Sequence, residues 1–181
     1  MKRVVHSFGA ICLLIVGLLP LVLVACTSEP LRETFRDPSA SIGITSRFDA
    51  ARFAGTWHVR GAYPLDAQLT QVQRFVDGPA WELVARTCEP NGDCEEVGTV
   101  WQVDGGSPGA EVLADPWGAA DRRAAVLWLD EGFRTAAIGD PSGQFAWVLD
   151  RAPRGGADRI KAARQVLAFS GFDLNAMEMR P

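Results

Sequence analysis

Histidine is almost missing from this sequence: 2 residues in 181, of which the folded domain keeps only His58. A histidine-based metal centre needs more than one imidazole, and a Ser-His nucleophile pair needs one beside an activated serine. His58 is read as a solvent-facing strand residue, because by strand alternation it points away from Trp57. Other catalytic signatures are lacking too. Ser142 sits in the turn Pro141-Ser142-Gly143 and not in a Gly-x-Ser-x-Gly elbow. No glycine loop of the phosphate-cradling kind occurs. Glu82 and Asp150 are carboxylates that no spacing pairs, so acid–base catalysis has no support. The reading is of a non-enzyme with no metal and no cofactor.

Positive charge is in deficit, 18 Lys and Arg against 22 Asp and Glu, for a net charge of −4. An acidic domain has no electrostatic reason to bind nucleic acid. Cysteine is scarce, at 4 residues. Long apolar runs are limited to the start of the chain, where Phe8 to Val24 follows Lys2 and Arg3. Leu23-Val24-Ala25-Cys26 ends that run with small residues and a cysteine, the pattern of a bacterial lipoprotein signal. Residues 1–25 are therefore expected to be removed and Cys26 to carry lipid; an uncleaved short membrane anchor is the alternative. Thr27 after the cysteine, in place of Asp, points to export to the outer membrane, with the domain facing the periplasm. Removing Lys2 and Arg3 with the leader shifts the charge from −4 to −6 and leaves 156 of 181 residues, a single-domain length.

Cys12 leaves with the signal, so Cys88 and Cys94 remain in an oxidising compartment. They bracket the loop Glu89-Pro90-Asn91-Gly92-Asp93 and face each other across a hairpin, where cross-strand distances suit a disulfide. Half a metal site or a redox pair is the rival reading.

Residues 26–46 mix Ser, Pro and charge without periodicity and read as a tether to a domain spanning 47–181. From Gly55 onward the chain is all-β: short alternating runs separated by turn residues. Strands are expected at Thr56–Ala62, Gln71–Val76, Trp81–Thr87, Glu95–Val103, Glu111–Leu113, Ala124–Leu129, Thr135–Gly139 and Phe145–Asp150. Asp158–Phe169 then carries Ile160, Ala163, Val166 and Leu167 at helical spacing, with Gly171 where a C′ glycine belongs. A short final strand runs through Met179. The spacing predicts an eight-stranded antiparallel up-and-down barrel, a helix on its outer wall and one closing strand.

Such a barrel has an interior that side chains fill or that holds one small ligand. Strand alternation nominates Trp81, Leu83, Ala85, Thr99, Trp101, Ala124, Val126, Trp128 and Ala137 as inward. Of these, Trp81, Leu83, Trp101, Val126, Trp128 and Ala137 are the candidate ligand contacts. Several inward positions are small, which implies a cavity in place of a solid core. A one-residue slip would reverse any strand's faces.

Four segments in order resemble the lipocalin family, specifically its bacterial outer-membrane lipoprotein type. They are Gly55-x-Trp57 after Phe48-Asp49 and Phe53; Leu129-Asp130-x-x-Phe133-Arg134-Thr135-Ala136; Phe145-x-Trp147-Val148-Leu149-x-Arg151; and Gly171-Phe172-Asp173. The likeness spans residues 48–178. It implies that Trp57 plugs the closed end of the barrel with Arg151 lying across it, and that Gly55, Trp57 and Arg151 are structural. It also implies a fatty acid or lysophospholipid as ligand, carried or stored in the envelope by a monomer or weak homodimer held to the membrane by its lipid anchor. Phe145 where the family often has Tyr, and Ala124 and Ala125 where it often has larger aromatics, imply a wider cavity. The ligand's polar end is expected at the open mouth, among loops holding Gln68, Asn91, Trp117 and the residues after Leu129. An enzyme acting on a lipid or isoprenoid, and a structural lipoprotein with a filled barrel, are the competing readings.

Overall fold

The computed structural model of the chain describes residues 34–118 and 120–180, so the signal 1–25, the lipidation site Cys26 and tether residues 27–33 lie outside the described residues. Nine strands follow one another: β1 Gly55–Ala62, β2 Leu69–Phe75, β3 Ala80–Cys88, β4 Cys94–Ser107, β5 Ala110–Ala114, β6 Arg122–Leu129, β7 Thr135–Gly139, β8 Ala146–Asp150 and β9 Glu178–Met179. Consecutive strands pair antiparallel from β2 to β8, and β1 pairs with both β8 and β2, which closes the eight-stranded barrel. The barrel is the expected one.

Closure is shared along β1. Its first half, Gly55 to His58, pairs with β2, whereas Gly61 and Ala62 pair with β9. The barrel splays at the top of that seam, and β9 covers the gap. Arg180 secures it by donating to the carbonyls of Ala67 and Leu69 at the head of β2.

Helix α2, Ala157–Phe169, buries Ile160, Ala163 and Leu167, the i, i+3, i+7 stripe of a one-sided helix. That stripe packs on Ala125, Leu127, Ala137, Ala146 and Val148, the outward residues of β6, β7 and β8. The alanines let helix and sheet approach closely. The N-terminal arm packs on the barrel: its backbone bonds to Gly143 and Gly171, and Phe35 stacks on Tyr63 at 4.2 Å. Buried Tyr63 donates its hydroxyl to the carbonyl of Asp173 at 3.0 Å, and burial raises its pKa. The arm, the barrel and the C-terminal segment thus share one outer core.

Cys88 and Cys94 form a disulfide, S–S 2.09 Å, at the tip of the β3–β4 hairpin. That arm runs beyond the barrel and is exposed on both faces. The bridge therefore staples a solvated ribbon.

Candidate functional site

The two ends of the barrel are built differently. At the closed end Asp49 caps the four-residue helix α1, Ala50–Phe53, by accepting the Arg52 N–H at 3.0 Å. The helix sets Phe53 beneath Trp57, ring centroids 4.8 Å apart, and the Trp57 indole donates to the Phe53 carbonyl at 2.9 Å. The Arg151 guanidinium lies 3.7 Å from the Trp57 ring centroid. It also donates to the carbonyls of Thr56, Arg52, Phe53 and Ala54 at 2.8 to 3.1 Å. One planar fork thus covers an aromatic face and satisfies backbone acceptors around α1. Burial lowers the Arg151 pKa. Gly55 adopts φ +87°, a left-handed conformation that lets the chain turn from α1 into β1.

Above this floor the interior is filled. Trp57, Trp81 and Trp147 are fully buried, and Phe53–Trp81, Trp81–Trp147 and Phe145–Trp147 centroids lie 5.6, 6.4 and 4.5 Å apart. Beside them sits a buried ion pair between Arg74 of β2 and Glu111 of β5. Arg74 Nε donates to Glu111 Oε2 at 3.0 Å, and the Trp81 indole donates to the same oxygen at 2.7 Å. Both charges are inside the barrel, so their mutual satisfaction is what makes burial tolerable.

The open end holds a cavity of its own. Asp66, in the loop between β1 and β2, accepts from Arg122 at 2.9 and 3.1 Å and from the Trp147 indole at 2.9 Å. Those bonds draw the loop down over the barrel. The Arg122 guanidinium stands 5.2 Å from the Trp101 and Phe145 ring centroids. Next to this latch is a cavity of about 410 Å³, walled by Leu69, Leu83, Ala85, Thr99, Trp101 and Trp117, with Pro64, Asp66, Ala67 and Gln68 on one side. Trp117 is 73% exposed and meets Trp101 edge-on at 6.4 Å. Asp115 presents it: its carboxylate accepts the Trp117 N–H at 2.7 Å, and its carbonyl accepts that of Gly118 at 3.0 Å. The site is an aromatic, largely apolar mouth with one ion pair at its edge.

Neither known protein families nor curated proteins yield a match to this sequence. Among solved structures, that of apocrustacyanin C1 superposes with a TM-score of 0.52, covering 71% of this chain and 76% of that one at 13% identity. Apocrustacyanin C1 is a lipocalin. This chain has the lipocalin fold. The likeness at that identity is one of fold.

Within the lipocalin barrel the expected contacts separate. Trp81, Leu83, Trp101 and Val126 belong to the interior cluster, and Leu83 and Trp101 also wall the mouth cavity. Trp128 and Ala137 do not face inward. Trp128 is out of step with simple alternation because the β6–β7 register shifts between Val126 and Trp128, whereas β7 alternates without a break and carries Ala136 and Ile138 inward and Ala137 outward. Val126 pairs with Ile138 inside the barrel, while Trp128 pairs with Ala137 outside it, beside α2. A bulge passes one residue without its partner and exchanges the faces. Ala137 is small because the helix lies on it.

The mouth also needs redrawing. Gln68 and Trp117 line it, and Asn91 sits at the tip of the disulfide arm. Residues after Leu129 lie at the opposite end, where Asp130 accepts the N–H groups of Arg134 and Thr135 at 2.5 and 2.7 Å. Burial acts to raise the Asp130 pKa, but these bonds and the Arg134 side chain outweigh it and hold the carboxyl below its ordinary range. The expectation that small inward residues open the whole barrel is likewise corrected. Three buried indoles and Phe145 take up the depth, which leaves a cavity of about 410 Å³ at the mouth and a hollow of about 360 Å³ beside Arg74 and Glu111 at the closed end.

Sequence reasoning passed over Asp66, Arg122, Arg74 and Glu111. Arg74 was within reach: two residues beyond Val72 in β2, it shares the inward face, and a charge there demands a partner. Asp66 carried no such signal, because its role depends on a loop folding back. Among the described residues, no group of three or more His, Cys, Asp or Glu could hold a metal ion.

Proposed function

We propose that this protein is a lipid-anchored lipocalin of the bacterial outer-membrane type. In this reading it binds a small hydrophobic or amphipathic molecule, a fatty acid or lysophospholipid, at the barrel mouth, for storage or transport in the envelope. The observation that carries the reading is the 410 Å³ cavity between Trp101, Trp117, Leu69 and Leu83. It lies within the range of about 300–1,000 Å³ typical of small-ligand pockets. Binding is by desolvation, worth about 0.8 kcal/mol per CH₂ withdrawn from water. The filled depth restricts the ligand to a short insertion under the β1–β2 loop, with its polar end towards Gln68 and Thr99.

The proposed anchor would suit the same arrangement. Thr34 donates to the Ser142 carbonyl in the turn between β7 and β8, which belongs to the open end. From Cys26 to Thr34 the chain cannot reach further than about 29 Å. A lipid on Cys26 would therefore hold the mouth near the bilayer that supplies its ligand. The role is carriage without turnover: the buried carboxylates Asp66, Glu111, Asp130 and Asp150 are each taken up by an arginine, and Asp140 accepts from Ser142 in its own turn.

The packed indole column favours one rival, a structural lipoprotein whose barrel binds nothing. Titration of tryptophan fluorescence in the delipidated domain with fatty acids and lysophospholipids separates the two. A saturable change is expected; no change with any of them, and no co-purifying lipid, would leave the structural role.

A further inference from the structure

Away from the mouth, on the outer wall, a pocket of about 360 Å³ lies between β1, the start of α2 and the C-terminal segment. Arg60, Lys161, Arg164 and Arg180 line it together with Gly155, Ala157 and Ile160. There is no carboxylate in that lining, although the chain as a whole is acidic. None of the four cations takes part in an ion pair among the described residues. The nearby countercharges are Glu178 beside Arg180, Asp158 in the first turn of α2, and Asp150 next to Gly156, the last already paired with Arg159.

Two further observations point to a ligand. Arg60 is only 4% exposed, its Nη1 donates to the carbonyls of Ala152 and Gly155 at 3.2 and 3.1 Å, and its buried Nε has no acceptor. The buried Nε of Arg164 has none either. A buried guanidinium N–H without an acceptor is costly, and an anion entering beside Arg60 and Arg164 would supply one. In addition, α2, thirteen residues long, begins at the pocket edge with Gly156 as N-cap and no side chain bonded to its first N–H groups. Its free donors and its dipole add positive potential on the same side.

We propose that this pocket binds a phosphate group, either free or carried on a phospholipid headgroup. Guanidinium forks match the tetrahedral oxyanion in geometry, and four cations match its charge. The site is separate from the mouth, so it stands or falls independently of the hydrophobic ligand.

Titration of the folded domain with inorganic phosphate at low ionic strength, followed by calorimetry, is the first arm. Vesicles of phosphatidylglycerol against vesicles of phosphatidylcholine form the second. The variant Lys161→Gln/Arg164→Gln changes two residues outside the cores of barrel and helix, and Arg154→Gln, an exposed cation not in the lining, is the control. Expected is saturable phosphate binding that weakens at least tenfold in the double variant and stays unchanged in the control. Vesicle binding with the same dependence, without free phosphate binding, would assign the headgroup as the source. Binding to neither, or binding indifferent to the double variant, overturns the proposal.

Discussion

Arg151→Ala tests the closed end more severely than any other single change. The substitution removes a cation–π contact made at 3.7 Å and four guanidinium–carbonyl bonds of 2.8 to 3.1 Å. The first is worth roughly 0.5–2 kcal/mol. Hydrogen bonds to a charged group are worth about 1.5–3 kcal/mol each when buried, but they do not add in full here. The guanidinium is half-buried, and water can reach some of the abandoned carbonyls. A loss of about 3 kcal/mol follows, which for a domain of this size lowers Tm by about 6–12 °C. Arg151→Lys keeps a cation but not the planar fork, so it should recover only part of that loss. Urea unfolding monitored by near-ultraviolet circular dichroism reads the stability, and a ligand titration on the folded fraction reads the mouth. Affinity should hardly change, because Arg151 and the cavity are at opposite ends. A stability loss below about 0.5 kcal/mol, the floor of the cation–π range, would refute the closed-end argument. So would a large affinity loss at unchanged Tm.

Three other outcomes are expected. Glu111→Gln leaves the Arg74 guanidinium buried without a countercharge and should cost about 3–5 kcal/mol in urea unfolding; a cost near zero would mean that water reaches the pair. Cys88→Ser/Cys94→Ser should cost no more than about 2 kcal/mol, because the closed loop is short and the arm is solvated; the oxidised wild-type domain should show no titratable thiol, and two would refute the bridge. Asp130→Asn should destabilise by about 1–3 kcal/mol at neutral pH through its lost charged acceptor. Because the Asp130 pKa is depressed on folding, its contribution is fully present above the ordinary value of 3.8 and vanishes as pH falls through the folded value. The gap between variant and wild type should therefore close below that pH; a gap independent of pH would contradict the linkage.

Most of the fold was legible because its signals are local. Alternation at Trp81 to Thr87, turn residues such as Asp77-Gly78-Pro79, and the change of period at Asp158 each announce an element without reference to the rest of the chain. The candidate site was legible only where alternation holds. It holds in β3 and β4, so Leu83 and Trp101 were found. It fails in β6, where a bulge after Val126 carries Trp128 outward, and nothing in Val126-Leu127-Trp128 marks the extra residue. The depth of the cavity was misjudged for a different reason. Small residues were counted as missing volume strand by strand, but Trp81 and Trp147 reach across the barrel to fill space that other strands leave. Asp66 escaped because a loop residue acquires meaning only when the loop folds over Arg122 and Trp147.

The most direct test of ligand binding at the mouth is a titration of wild-type and Ala85→Trp domains with a lysophospholipid, followed by competition against a fluorescent fatty acid. Ala85 lines the cavity, so an indole there occupies the space without disturbing the packed column below. Saturable binding by the wild type, abolished in Ala85→Trp at unchanged Tm, is the expected result. Equal binding by both domains would place the ligand elsewhere, and binding by neither would leave the barrel as a container with nothing to hold.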